Sequence, residues 1–184
     1  MLDIETADGV ATVTLNRPAA RNALSIELRD RIGDALDDLS AREDVRAIVI
    51  TGTGDVFSAG FDLREFAAAR DDRELERRIW DSSDRFHRTV LHCPTPTVAA
   101  VNGPAIAGGF DLAVMCDLRV AVERAWFEHP EISFGDVVYG PLRELVGGAV
   151  ARELALTGRR VSAAEALELR LVSKVVPDGS ALAA

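Results

Sequence analysis

The chain contains few cysteines, and the two that it has stand apart from each other. Cys93 and Cys116 are the only ones among 184 residues, which excludes a disulfide framework and a cysteine-based zinc site. The N-terminal segment carries acidic residues, Asp3 and Glu5, within its first five positions, and it lacks the basic and apolar regions of a signal peptide. Both observations favour a reducing compartment, and we expect a cytoplasmic protein.

Positive charge and long apolar runs are also scarce. The 21 basic residues are outnumbered by 30 acidic ones, which leaves a formal net charge of -9. Nucleic-acid binders need a basic face, so we expect no nucleic-acid partner. The most apolar stretch, residues 97–116, carries Asn102, Pro104 and Asp111, and we therefore expect no membrane span.

Three common active-site motifs are missing. The glycines between residues 103 and 109 are not followed by Lys-Ser or Lys-Thr, which argues against a nucleotide P-loop. No Gly-x-Ser-x-Gly elbow of a serine hydrolase occurs. His87, His92 and His129 lack the spacing of metal ligands, so we predict surface or packing roles for them and no metal site.

The remaining pattern is that of one α/β domain covering residues 1–184. Apolar residues make up 48% of the chain and charged residues 28%, as in soluble globular domains. Strands are predicted over residues 10–15, 45–51, 97–101, 118–121 and 174–176. Predicted helices follow Ser25 and Ser162 as N-caps and cover residues 71–91, 109–116 and 142–156. Alternating strands and helices indicate the α/β class.

The most informative stretch is Asn-Gly-Pro-Ala-Ile-Ala-Gly-Gly-Phe-Asp at residues 102–111. Its glycines let a ligand approach backbone N–H groups, and the predicted helix N-terminus adds partial positive charge. Asp111 in the first helical turn could move protons. Together these features favour chemistry on a carbonyl compound whose oxygen becomes an oxyanion. On its own, however, the decapeptide is more typical of a turn and a buried helix.

A second glycine loop and a second carboxylate extend this interpretation. Residues 59–61 and 107–109 each follow a predicted strand and precede a helix. Two N–H groups from such loops can hold one carbonyl oxygen, each contributing about 2.7–4 kcal/mol to transition-state stabilisation. Asp111 and Glu131 could form a carboxylate pair nearby, although Glu131 in isolation is more typical of a helix N-terminus than of a base.

Several segments together resemble the enoyl-CoA hydratase/isomerase (crotonase) superfamily. They include TVTLNRP at 12–18, RNAL at 21–24, IVITG at 48–52 and FSAGFDL at 57–63. Residues 101–112, 116–117, 127–132, 156–159 and 163–171 continue the resemblance in the same order. It implies a ββα spiral core, with the superfamily's C-terminal helical lid and trimerisation segment expected to be absent from this chain.

The resemblance also implies an acyl-CoA enzyme of fatty acid metabolism. The N–H groups of Phe61 and Gly108 would form an oxyanion hole for a thioester enolate, with Asp111 and Glu131 at the acid/base positions. The coenzyme A path would be lined by Ala23, Ala59, Asp62, Leu63 and Arg64, although Arg64 is as typical of a solvent-facing position. Coenzyme A enters as the substrate thioester, no further cofactor or metal is implied, and a homotrimer or dimer of trimers is expected.

Departures from the superfamily pattern leave the reaction open. Hydratases usually carry glutamate at both acid/base positions, whereas Asp111 is shorter by one methylene. Residues 136–141, DVVYGP, replace a glycine-rich loop, and Tyr139 there is either a pocket group or packing. Hydration of a 2-enoyl-CoA and a double-bond shift both stay open, as do decarboxylation, dehalogenation and hydrolysis. The alternatives are a catalytically weak acyl-CoA-binding or assembly subunit and, disfavoured by the acidic charge, RNA binding.

Overall fold

The computed structural model describes residues 1–133 and 139–183. Its main sheet has six strands in the order β1-β2-β3-β4-β6-β9, and a smaller sheet has the order β5-β7-β8. The strands are β1 Leu2–Ala7, β2 Val10–Leu15, β3 Ala47–Gly52, β4 Thr97–Val101, β5 Ala105–Ile106, β6 Leu118–Val122, β7 Trp126–Glu128, β8 Val161–Ser162 and β9 Lys174–Val176. Only β1 runs antiparallel in the main sheet.

The helices alternate with these strands, which confirms the predicted α/β class. They are α1 Ile26–Ser40, α2 Leu63–Ala69, α3 Arg73–Leu91, α4 Gly108–Met115, α5 Tyr139–Thr157 and α6 Ala163–Glu168. Short 3-10 helices cover Pro18–Ala20, Pro130–Ser133 and Ala181–Ala183. Of the helices within the described ranges, none combines the length and the apolar character needed to cross a membrane.

Most predicted elements are present, with small shifts at their ends. Ser25 caps α1 by accepting a hydrogen bond from the Leu28 N–H, as its position predicted. The predicted strand 45–51 begins two residues later, and the predicted helix 71–91 begins at Arg73 because Asp72 caps it. Helix α2 and strand β1 were not predicted, although alternating Leu2 and Ile4 with acidic residues is a strand signal.

The parallel pairing of β3 with β4 brings the two glycine loops to one edge of the main sheet. β3 ends at Gly52 and β4 at Val101, and neighbouring parallel strands end on the same side. The loops that follow pair with each other: the Phe57 N–H donates to the Pro104 carbonyl at 3.0 Å. A Cβ at Gly109 would lie 2.4 Å from the Ser58 carbonyl oxygen, so this approach requires glycine.

Helix α4 starts at this edge and runs into the core. All eight of its residues are buried, from Gly108 to Met115. Because the helix is enclosed on every side, Asp111 in its first turn is a carboxylate inside the protein, 5% exposed. Such a group requires hydrogen-bonding partners in the surrounding structure.

Candidate active site

The first of the two N–H groups expected to form the oxyanion hole, that of Phe61, lies in the loop between β3 and α2. Phe61 forms a parallel bridge with Leu24, in which the Leu24 N–H donates to the Gly60 carbonyl at 2.8 Å and the Asp62 N–H donates to the Leu24 carbonyl at 3.4 Å. Because alternate residues of an extended chain point in opposite directions, the Phe61 N–H faces away from Leu24. Within the described part of the chain it donates no hydrogen bond.

The second backbone donor is the first N–H of α4. Ala107 precedes it with φ 54° and ψ -130°, a conformation that L-residues rarely adopt. The surroundings hold it there: its N–H donates to the Glu128 carbonyl at 2.9 Å, and its carbonyl accepts from the N–H groups of Phe110 and Asp111. The Gly108 N–H that follows has no acceptor among residues 1–133 and 139–183, as is usual for the first turn of a helix.

These two donors lie on adjoining segments. A Cβ built at Gly60 would be 3.0 Å from the Gly108 nitrogen, and one built at Gly108 would be 3.6 Å from the Phe61 nitrogen. The structure therefore brings together the two glycine loops that the sequence singled out. Free amide N–H groups so placed can donate to one oxygen atom.

A buried arginine that was not among the predicted site residues contacts Phe61. The Arg29 guanidinium lies 4.3 Å from the centre of the Phe61 ring, a cation–π contact. Arg29 is fully buried and donates to the Leu24 and Ile79 carbonyls at 2.8 and 3.1 Å. Burial lowers the pKa of Arg29. The loop that carries the Phe61 N–H is thus tied to α1 and α3.

The Asp111 carboxylate has one strong partner, His129. The His129 Nε2–H donates to Asp111 Oδ1 at 2.8 Å, and the imidazole, 0% exposed, stacks on Phe110 with ring centres 4.3 Å apart. The prediction of a packing role for His129 is confirmed by this stacking, but its bond to Asp111 was missed. The only sequence signal was its position two residues before Glu131.

Among the residues of this region, Glu131 has the most strongly shifted pKa. It lies in the 3-10 helix Pro130–Ser133 and is 8% exposed, and its Oε2 has no partner among the described residues. Burial raises the pKa of Glu131 to about 7, with Asp111 and Glu128 acting in the same direction and His129 against it. Glu131 therefore exchanges a proton near neutral pH, as an acid/base catalyst must.

His87 of α3 also borders this region. Its ring lies 6.1 Å from the Phe61 ring, and its Nδ1 is 3.3 Å from Ser83 Oγ. Burial lowers the pKa of His87, and Asp111 is the first of the opposing charges. His87 is partly buried, and His92 lies on the surface as predicted.

The residues assigned to the coenzyme A path form one strip beside Phe61. The Ala59 N–H donates to the Arg21 carbonyl at 2.9 Å, which places Ala59 next to the segment containing Ala23. Asp62 pairs with Arg17 at 3.0 Å and caps α2, so its carboxylate already has partners. Leu63 and Arg64 are exposed at the start of α2.

Two further expectations concern metals and Tyr139. No group of three or more metal-ligating side chains comes together within residues 1–133 and 139–183. The Tyr139 hydroxyl donates to the Gly148 carbonyl at 3.4 Å, and its ring packs on the main core, which favours the packing role. Residues 136–138 of the altered loop lie outside the described residues.

Known proteins share this fold and much of this sequence. Residues 5–183 match the family model for enoyl-CoA hydratase/isomerase. A Thermus thermophilus protein with a provisional enoyl-CoA hydratase name is 46% identical over 178 residues, which cover 94% of this chain and 70% of the relative. The rat mitochondrial enoyl-CoA hydratase domain-containing protein 3 is 35% identical, with 93% of this chain and 58% of the relative covered.

A solved structure supports the same comparison. The enoyl-CoA hydratase from Bacillus anthracis superposes with a TM-score of 0.91 at 31% identity, covering 99% of this chain and 72% of that one. The crotonase-like fold expected from the sequence is thereby confirmed. The chain spans only part of the length of each of these relatives.

Proposed function

The chain belongs to the enoyl-CoA hydratase/isomerase family, and from this premise we propose that it converts unsaturated acyl-CoA thioesters through an enolate. The Phe61 and Gly108 N–H groups bind the thioester oxygen, and Glu131 moves the proton. Asp111, held by His129, faces the same region. Hydration of the 2-enoyl thioester and migration of its double bond both use such an enolate.

The observation that carries this proposal is the pair of backbone N–H groups, of Phe61 and Gly108, that have no acceptor within the described part of the chain. Negative charge that develops on the thioester oxygen is stabilised by N–H groups that are already oriented and need not reorganise during the reaction. The Arg29–Phe61 contact and the hydrogen bonds around Ala107 support this orientation. Each donor of this kind contributes about 2.7–4 kcal/mol to transition-state stabilisation.

The protonation of Glu131 supports its role as the proton carrier. With a pKa of about 7, Glu131 is present in both forms at neutral pH, so it can donate to carbon in one direction and accept in the other. Its Oε2 has no hydrogen-bond partner among residues 1–133 and 139–183 and can therefore accept from or donate to a substrate. Asp111 has one oxygen bonded to His129 and is the weaker candidate for this task.

We place coenzyme A along the strip formed by Ala23, Ala59, Asp62, Leu63 and Arg64. The exposed Arg64 suits a phosphate of the nucleotide portion of coenzyme A. Asp62 is already paired with Arg17, so it contributes to the strip without offering a free charge. A homotrimer or a dimer of trimers is the assembly that we propose, and sedimentation tests it.

The test is mass spectrometry of a short 2-enoyl-CoA and of its 3-enoyl isomer after incubation with the protein in D2O. A hydrated product, or deuterium uptake with a moved double bond, is the expected result. Glu131→Gln abolishes both reactions while coenzyme A binding persists, and Glu123→Gln, at an exposed site, changes neither. An inert protein that still binds coenzyme A would instead favour a binding or assembly subunit.

A further inference from the structure

The described residues contain three buried side-chain atoms without a hydrogen-bond partner, and each belongs to a residue that bonds to Asp111 or is influenced by its charge. They are His87 Nε2, His129 Nδ1 and Glu131 Oε2. An unpaired polar atom in a protein interior costs free energy, so natural structures contain few of them. Their common link to one carboxylate indicates a polar site whose occupant completes the hydrogen bonds.

His87 is the member of this set that the enolate chemistry does not use. Its Nδ1 lies 3.3 Å from Ser83 Oγ, so Nε2, the other ring nitrogen, is the atom left for a ligand. The centre of its ring lies 5.4 Å from that of Phe86 and 6.1 Å from that of Phe61. Contact with Phe61 places His87 beside the residue that donates to the thioester oxygen.

The neighbourhood of His87 also specifies the kind of ligand. An imidazole nitrogen either donates or accepts, depending on the tautomer, and Asp111 accepts when ionised. A water molecule suits this pair because one of its O–H bonds can donate to the carboxylate, while its second O–H bond or its oxygen atom satisfies either tautomer of the histidine. A carbonyl group or a hydrocarbon chain would leave at least one of the two unsatisfied.

Asp111 needs such help if water is to be added. It is shorter than glutamate by one methylene, and its Oδ1 is bonded to the His129 Nε2–H. A water molecule must be held within hydrogen-bond reach from two sides to be oriented for attack. His87 Nε2 has no partner among the described residues and is available for the second side.

We propose that His87 is a catalytic residue that holds the water molecule of a hydration reaction together with Asp111. This inference rests on the proposed function and assigns it to hydration. The water oxygen bonds to the β-carbon of the 2-enoyl thioester while the π electrons move to the thioester oxygen as an enolate. His87 Nε2 takes one water proton, and Asp111 stabilises the imidazolium. Protonated Glu131 then gives its proton to the α-carbon, and proton exchange with solvent restores both residues.

The test compares two reactions of one variant. His87→Phe keeps an aromatic ring against Phe61 but removes Nε2. Hydration of a 2-enoyl-CoA is expected to fall by about 100-fold or more, the lower range for a general acid or base. Conversion of the 3-enoyl isomer to the 2-enoyl thioester needs no water, and we expect it to change by less than about 3-fold. His87→Gln, which retains a polar side chain, is expected to recover part of the hydration rate.

The control is His92→Phe, at the exposed C-terminal end of the same helix, which leaves both rates unchanged. An equal fall of both rates in His87→Phe, or no fall in either, overturns the role of His87. Wild-type protein that isomerises without hydrating also overturns it, yet leaves the enolate function intact. Wild-type protein that does neither refutes the enolate function itself.

Discussion

Replacing Glu131 by glutamine should stabilise the protein at high pH while removing its activity. The pKa of Glu131 rises from its ordinary 4.5 to about 7 on folding, chiefly by burial. The folded state therefore holds a proton that the unfolded chain has already released. Stability from this group is complete below pH 4.5 and is lost as the pH rises through about 7.

The size of the effect follows from the difference between the two pKa values. From 4.5 to about 7 is a difference of about 2.5 pH units, which corresponds to about 3–4 kcal/mol at ~1.4 kcal/mol per unit. Glutamine has the same shape as glutamate but does not ionise, so the Glu131→Gln variant does not lose this stability as the pH rises. The variant should thus gain about 2–3 kcal/mol in free energy of unfolding relative to wild type between about pH 5 and about pH 8.

Urea unfolding at both pH values, followed by the fluorescence of Trp80 and Trp126, measures this difference. Glu123→Gln, an exposed substitution, corrects for general effects of removing one negative charge. If the difference between Glu131→Gln and wild type is the same at both pH values, Glu131 is not the buried, proton-binding group that its surroundings indicate, and its role as proton carrier loses its basis.

Two other substitutions test the remaining parts of the site. Gly108→Pro removes the backbone donor, while Gly108→Ala keeps the donor and, like proline, brings a Cβ to 2.7 Å from the Phe61 ring. We expect kcat of the proline variant to be about 100-fold or more below that of the alanine variant, and also below that of Asp111→Asn. An equal loss in both Gly108 variants would place the oxyanion elsewhere. His129→Leu leaves the buried Asp111 carboxylate without its 2.8 Å partner and should lower the free energy of unfolding by about 1–3 kcal/mol in urea, whereas His92→Leu should not; an unaltered midpoint for His129→Leu would mean that Asp111 finds another partner.

Local signals in the sequence were sufficient for much of the fold. The alternation in residues 10–15, the cap at Ser25 and the glycines around residue 108 each depend on a few neighbouring residues, and the structure has β2, α1 and α4 there. The short strands β7 and β8 were not predicted, because two or three residues carry no periodicity and form only where another strand is available. The resemblance to a known family supplied the pairing of Phe61 with Gly108.

The sequence by itself determined the α/β class, the two glycine loops and the presence of two carboxylates, since these follow from residue type and spacing. Only the tertiary structure decided which groups meet. Asp111 and His129 are 18 residues apart and bond at 2.8 Å, and Arg29 reaches Phe61 across α1 and the loop after β3. The altered pKa values of Glu131 and His87 have burial as their main cause. Burial depends on how distant segments pack together, and no local pattern encodes it.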